Sequence, residues 1–129
     1  MIVTIIDPPA RRKQIPPDVM LRSWGAVPDP RINRKQLARC IRICEIVAED
    51  QGIKPVDLFR RTRRHPVAFA RQLAMVIMRE TLRMPIMVIG SLFDRHHACV
   101  LQASRQVEAR CASPYFASSL SHLLSKANA

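Results

Sequence analysis

A chain of 129 residues with 48% apolar content is long enough for one compact core and short for two. Lys and Arg number 21 against 10 Asp and Glu, a formal charge of +11, so an acidic polyelectrolyte is the expected partner class. No window approaches the roughly 20 apolar residues of a membrane span; the opening Met-Ile-Val-Thr-Ile-Ile is too short for a secretory h-region and lacks a preceding positive segment, so a soluble, cytoplasmic, nucleoid-associated protein without a membrane partner is expected.

Six of the ten prolines fall within the first 30 residues, where each removes a backbone donor and biases its predecessor toward extended geometry. Residues 1–30 are therefore predicted to be a largely flexible, proline-rich tail, and residues 31–129 a helical domain. Inside the tail, Met20, Leu21 and Trp24 are spaced to share one face of a short amphipathic turn, which the sequence leaves either docked or free.

From Asn33 the pattern changes. Leu37, Cys40, Ile41, Cys44 and Val47 recur at three- and four-residue intervals, with Asn33 as N-cap and Gly52 as C-terminal closure. Ile53 to Phe59 reads as a linker entering a short helix, with Pro55 in its first turn. Between Leu58 and Arg79 there is no acidic residue, whereas Arg60, Arg61, Arg63, Arg64, Arg71, Arg79 and His65 are all present. Arg60 to His65 is predicted to be a basic loop. Pro66 then starts a helix running to about Leu82, with Val67, Ala70, Ala74, Ile77 and Met78 facing inward.

Pro85 restarts the chain as a first helical residue, and Ile86, Val88, Ile89, Leu92 and Phe93 make a short apolar helix. Asp94 is the predicted N-cap of the next one. With Val100, Ala103 and Val107 as its inward stripe, Arg95, Ala98, Gln102 and Arg105 face outward. Ser113-Pro114 caps a final packing helix bearing Phe116, Leu120, Leu123 and Leu124. No strand pair, repeat or heptad series is present, and the expected class is all-α.

The four cysteines, Cys40, Cys44, Cys99 and Cys111, lack CxxC spacing and are expected as reduced thiols, with Cys40 and Cys44 acting as small hydrophobes. Met75, Met78, Met84 and Met87 read as core filling. Adjacent His96 and His97 project about 100° apart on a helix and no HxxxH or carboxylate pair accompanies them, so no metal, cofactor or catalytic role is expected. RNA fits less well than duplex DNA, because none of the six aromatic residues lies in the arginine-rich loop.

Two short helices joined by a tight turn, the second polar and basic at its start, form a helix-turn-helix pattern. Spacing alone fits equally an ordinary hairpin in which Asp94 and Arg95 cap and solubilise. The residues go further: Ile41 to about Val107 resembles the C-terminal DNA-binding domain of the bacterial chromosomal replication initiator DnaA. Three blocks carry the resemblance: Gly52-Ile53-Lys54 with Asp57-Leu58; Arg61 to Arg71-Gln72-Leu73-Ala74-Met75; and Ile89-Gly90 with Phe93, Arg95, His97, Val100 and Leu101. Order and spacing match, apart from one missing residue between Phe93 and Arg95.

The resemblance implies an all-α helix-turn-helix fold of about five or six helices that binds double-stranded DNA. It implies that Arg63 enters the minor groove, that Arg61, Arg71, Gln72 and Arg79 lie near phosphates, and that His96, His97, Ala98 and Cys99 form the base-contacting end of the recognition helix. Arg64 and Arg95 complete the expected DNA-binding set. The family's recognition block reads Arg-Asp-His-Thr-Thr-Val, whereas here Arg95-His96-His97-Ala98-Cys99-Val100 has lost the carboxylate and both hydroxyls. At about 1–3 kcal/mol per good base contact, the preferred sequence should differ.

No GxxxxGK[ST] phosphate loop is present, and the residues before the domain are too few for an ATPase, so a free-standing recognition domain is expected. Such a domain would serve as a transcriptional regulator or as a competitor at initiator-type sites. The alternative is a protein-interaction module whose basic surface and first 30 residues bind the replication initiator, the transcription machinery or another acidic partner. The sequence leaves the oligomeric state open.

Overall fold

The computed structural model describes residues 15–62 and 64–129; the expectations for residues 1–14 and for Arg63 lie outside the described residues. The helices in chain order are α1 (Pro17–Ser23), α2 (Arg34–Gln51), a 3-10 helix (Pro55–Phe59), α3 (His65–Leu82), α4 (Ile86–Leu92), α5 (His97–Arg110) and α6 (Pro114–Asn128), with no strand among the described residues. The all-α class is as expected.

The central element is α3, because its sequence is apolar nearly all round from Leu73 to Met78, and such a helix must be covered on every side. It packs against α2, the 3-10 helix, α4, α5 and α6. Leu73, Met75, Ile77 and Met78 are among the largest fully buried side chains, and each contributes about 1.5–3 kcal/mol by leaving water. The predicted inward residues of α5, Val100, Ala103 and Val107, are all buried against it.

Helix ends follow local chemistry. The Asn33 side chain accepts from the Gln36 N–H at 2.8 Å, and Gly52, at φ 70°, closes α2 in the left-handed region. Arg83 takes the same region at φ 54° to end α3, two residues before Pro85. Ser113 caps α6, and Leu123 and Ala127 seat that helix on α2 and α3.

The tail expected over 1–30 is a folded element in its described part. Pro17 stands at the first position of α1, where a missing N–H leaves nothing unsatisfied, and Leu21 is fully buried. Gly25, at φ 100°, reverses the chain so that Ala26 is buried as well. The Val27 N–H then donates to the Leu92 carbonyl at 2.9 Å, and the Ser91 hydroxyl donates to the Val27 carbonyl at 3.2 Å. Trp24 stacks on Phe59 at 6.2 Å between ring centroids, and Phe59 stacks on Phe93 at 4.9 Å. Proline density marked an absence of regular hydrogen bonding; burial of Leu21, Trp24 and Ala26 supplies the order that local bonding does not.

Asp29 turns the chain toward α2. Its carboxylate accepts from the Arg31 guanidinium at 2.8 and 3.0 Å and from the Arg31 backbone N–H at 2.8 Å, which holds its pKa down at about 2. One methionine departs from core filling: Met87 is 62% exposed, because Val88, Ile89 and Leu92 take the inward face of a two-turn helix and leave the opposite face to it.

Candidate nucleic-acid interface

The helix-turn-helix is built around Gly90. A Cβ there would stand 2.8 Å from the Arg95 carbonyl oxygen and 3.3 Å from the His97 backbone, so only glycine lets α4 and the start of α5 approach this closely. The Arg95 N–H donates to the Gly90 carbonyl at 2.8 Å and the Asp94 N–H to that of Ser91 at 2.9 Å. With Asp94 at φ 54°, these two bonds form the left-handed closure of α4.

Asp94 is therefore not the N-cap of the recognition helix. A residue that closes one helix in the left-handed region cannot also present its carboxylate over the first N–H groups of the next. His96 takes that role: its Nδ1 accepts from the Ala98 N–H at 3.1 Å, and α5 begins at His97. Arg95 accordingly lies in the turn instead of on the helix. The His96 and His97 rings lie 4.1 Å apart, His96 and Ala98 exposed, His97 and Cys99 half-buried.

The basic loop lies against this turn. Exposed Arg61 forms an ion pair with Asp94, and the Arg60 Nε lies 3.1 Å from the Asp57 carboxylate. Arg64 is the exposed N-cap residue of α3, its N–H donating to the Thr62 hydroxyl at 3.2 Å. The half-buried Arg95 guanidinium donates to the carbonyls of Phe93 at 3.1 Å and Arg60 at 3.2 Å.

Arg71, expected near a phosphate, is turned inward and only 8% exposed. Its Nε donates to the Leu58 carbonyl at 2.9 Å, and its Nη2 to those of Arg60 at 2.7 Å and Thr62 at 3.3 Å. Burial, and then the charge of neighbouring Arg95, lower the pKa of this guanidinium from its ordinary value. The loop carbonyls have few other donors, and α3 delivers one from below.

Half-buried Gln72 lines a shallow cleft between α3 and α5 with Ala68, Arg71, Arg95, Cys99 and Gln102. A second cleft shares Ala68 and Gln72 and adds His65, Phe69, Gln106 and Arg110, so one face runs from the turn along α5. The sequence reading missed Gln106 and Arg110, although the outward stripe through Gln102 extends to both at helical spacing. Arg110 lies 4.1 Å over the Phe69 ring and donates to His65 Nε2 at 3.1 Å, fastening the far end of α5 to the start of α3.

Arg79 does not join this face. It donates to the Ser104 hydroxyl at 3.1 Å and lines an open cleft with Glu80, Arg83 and Glu108, about 12 Å along α3 from Arg71. The thiols divide in two. Burial pushes Cys40 up to about 12 and Cys44 well above its ordinary value, and Cys40 donates to the Met84 sulfur at 3.6 Å, whereas Cys99 and Cys111 are half-buried. Among the described residues, no three His, Cys, Asp or Glu side chains are grouped to hold a metal, and no helix is long and apolar enough to cross a membrane.

Comparison with known proteins returns the same region. The family model described as the bacterial dnaA protein helix-turn-helix matches residues 40–107. The chromosomal replication initiator protein DnaA 2 of Protochlamydia amoebophila is 39% identical over 67 residues, covering 52% of this chain and 15% of that protein. The initiator DnaA of Thermus thermophilus is 39% identical over 69 residues, covering 53% and 16% respectively. The chain thus matches only about a sixth of the length of these relatives. A crystal structure of a DNA replication initiation factor superposes with a TM-score of 0.68 at 27% identity, over 74% of this chain and 30% of the other.

Proposed function

The chain belongs to the family of bacterial DnaA helix-turn-helix domains, a DNA-binding domain, and from this premise we propose that it binds double-stranded DNA in a sequence-specific manner through α5 and the basic loop together. The observation that carries the reading is the junction at the turn. Gly90 permits a close α4–α5 approach, while Arg61 on Asp94 and Arg95 on the Arg60 carbonyl hold the loop beside the recognition helix. A helix that presents His96 to Cys99 and a loop that presents Arg61 and Arg64 suit adjacent major and minor grooves. Arg63, the minor-groove residue implied by the family, lies outside the described residues.

The biological role we infer is that of a transcriptional regulator or a competitor at initiator-type sites, with a preference of its own. Where the family's Asp only accepts, His96 donates: its Nδ1 accepts from the Ala98 N–H in the helix cap, so the proton sits on Nε2, which is left to donate to a base acceptor or a phosphate. Ala98 offers only an apolar contact, for instance to a thymine methyl. Selection of bound fragments from random duplex DNA tests the reading. One enriched motif is expected, together with a log-log salt slope near −5 for about six neutralised phosphates. Equal affinity for scrambled duplexes with a shallow slope would remove it in favour of an acidic protein partner.

A further inference from the structure

We propose that Arg71 is a positioning residue that couples the basic loop to the recognition helix, not a phosphate contact. The proposal rests on the DNA-binding reading above. Its starting point is a single peptide: the carbonyl of Arg60 accepts from Arg71 Nη2 at 2.7 Å and from Arg95 Nη2 at 3.2 Å. One guanidinium comes from α3, the other from the helix-turn-helix turn, and the two meet on one loop oxygen.

A carbonyl oxygen has two lone pairs, so both donors are accommodated, and both elements are thereby referred to the same loop atom. Arg71 secures the loop on either side of that point, through Leu58 at 2.9 Å and Thr62 at 3.3 Å. Arg61 and Arg64, which bracket Thr62 and the residue after it, stay exposed on a backbone anchored from beneath. A guanidinium with 8% of its residue surface exposed and two of its nitrogens committed to carbonyls has little left to offer a phosphate. What it does offer is a planar fork of fixed geometry, which a lysine of equal charge does not reproduce.

Charge and geometry can therefore be separated with Arg71→Lys and Arg71→Met. Backbone 15N relaxation of residues 60–64 without DNA reads loop order. Anisotropy titrations at several salt concentrations, on the selected duplex with A·T or with G·C flanks, read its consequence. Both variants are expected to loosen the loop amides while α5 amides are unchanged. Preference for A·T flanks should fall about tenfold, and the salt slope should stay within about half a unit of the wild-type value.

The proposal is overturned if Arg71→Lys keeps full affinity and flank preference while Arg71→Met lowers the slope by about 0.9 on both duplexes, the signature of one lost phosphate. Should both variants lose helical circular dichroism, Arg95→Lys decides, since it removes the second guanidinium from the Arg60 carbonyl, with its bonds to the Phe93 and Asp94 carbonyls inside the turn, and leaves Arg71 in place. A loop as ordered as wild type in that variant also overturns the coupling. If wild-type protein binds no duplex, the DNA-binding reading fails, and the relaxation data alone still accept or reject the mechanical link.

Discussion

The two halves of α3 carry arginines that look alike in the sequence, Arg71 and Arg79, eight positions apart and both expected on phosphates. At the first, the side chain turns inward beneath a loop and meets three carbonyls. At the second, it lies in an open cleft beside Ser104, Glu80 and Glu108. The difference is one of neighbours. An irregular loop must find donors for its carbonyls, and the half of α3 beneath it provides one, whereas the other half faces α5 and α6, whose backbones are already bonded helically. Identical residues on one helix are thus assigned unlike work by the backbone above them.

The sharpest way to break this contrast is at the turn. Gly90→Ala places a Cβ 2.8 Å from the Arg95 carbonyl oxygen, and the forced shift should destabilise the domain by about 1–3 kcal/mol in urea melts and abolish DNA binding. A variant of wild-type stability would show that the turn yields easily.

Next come the two arginines themselves. Arg71→Met should cost about 1–3 kcal/mol, the penalty of stranding carbonyls that a charged donor had satisfied. Arg79→Met should stay within about 0.5 kcal/mol, as for other surface positions. Equal losses by thermal denaturation would erase the distinction between the halves.

The thiols extend the contrast to pH. Cys40, raised from 9.0 to about 12 by burial, and Cys44, raised well above 9.0 by burial, favour the protonated form in the fold. Their contribution is fully present below pH 9, and stability should decline as pH rises from 9 through 12, because the unfolded thiols ionise first. Native protein should accordingly alkylate at Cys99 and Cys111 before Cys40 and Cys44, and mass spectrometry of a timed iodoacetamide reaction checks the order. Simultaneous modification of all four would contradict the burial.

The smallest effect is expected at Asp94→Asn. Side-chain exposures of 68% and 58% for Arg61 and Asp94 limit their pair to under about 1 kcal/mol. Asparagine tolerates the same positive φ, so the fold should change little. Freeing Arg61 and removing an anion beside the loop should raise DNA affinity by about threefold at low salt and less at high salt. Weakened binding would mean that the ion pair orients Arg61 productively.

Much of the architecture was legible. The three- and four-residue apolar spacing of Leu37, Cys40, Cys44 and Val47, the caps at Asn33, Gly52 and Ser113, and the stripe of Val100, Ala103 and Val107 are local signals, and they mark helices in the structure. Site assignment was legible only in part. Ala98 and Gln102 lie outward as the spacing implied, but His96, not Asp94, caps α5, since either residue type suits a turn and the choice depends on how close Gly90 lets two backbones come. Leu21 and Trp24 gave a pattern compatible with docking, and it took α2 and the Phe59 ring, both later in the chain, to make a surface for them.

By itself, then, the amino-acid order determined the helical class, most helix positions and a family-like recognition block, because periodicity, capping and residue identity act within a few residues. Tertiary structure alone decided that Arg71 serves the loop instead of solvent, that Asp94 ends a helix instead of starting one, and that residues 17–28 pack on the core through Leu21 and Ala26. The first and last depend on groups brought together from 9 to 64 positions apart, as in the bonds from Arg71 to the Thr62 carbonyl and from Ser91 to the Val27 carbonyl. No local signal encodes such meetings, and burial and the demand of loop carbonyls for donors settle them when the chain closes on itself.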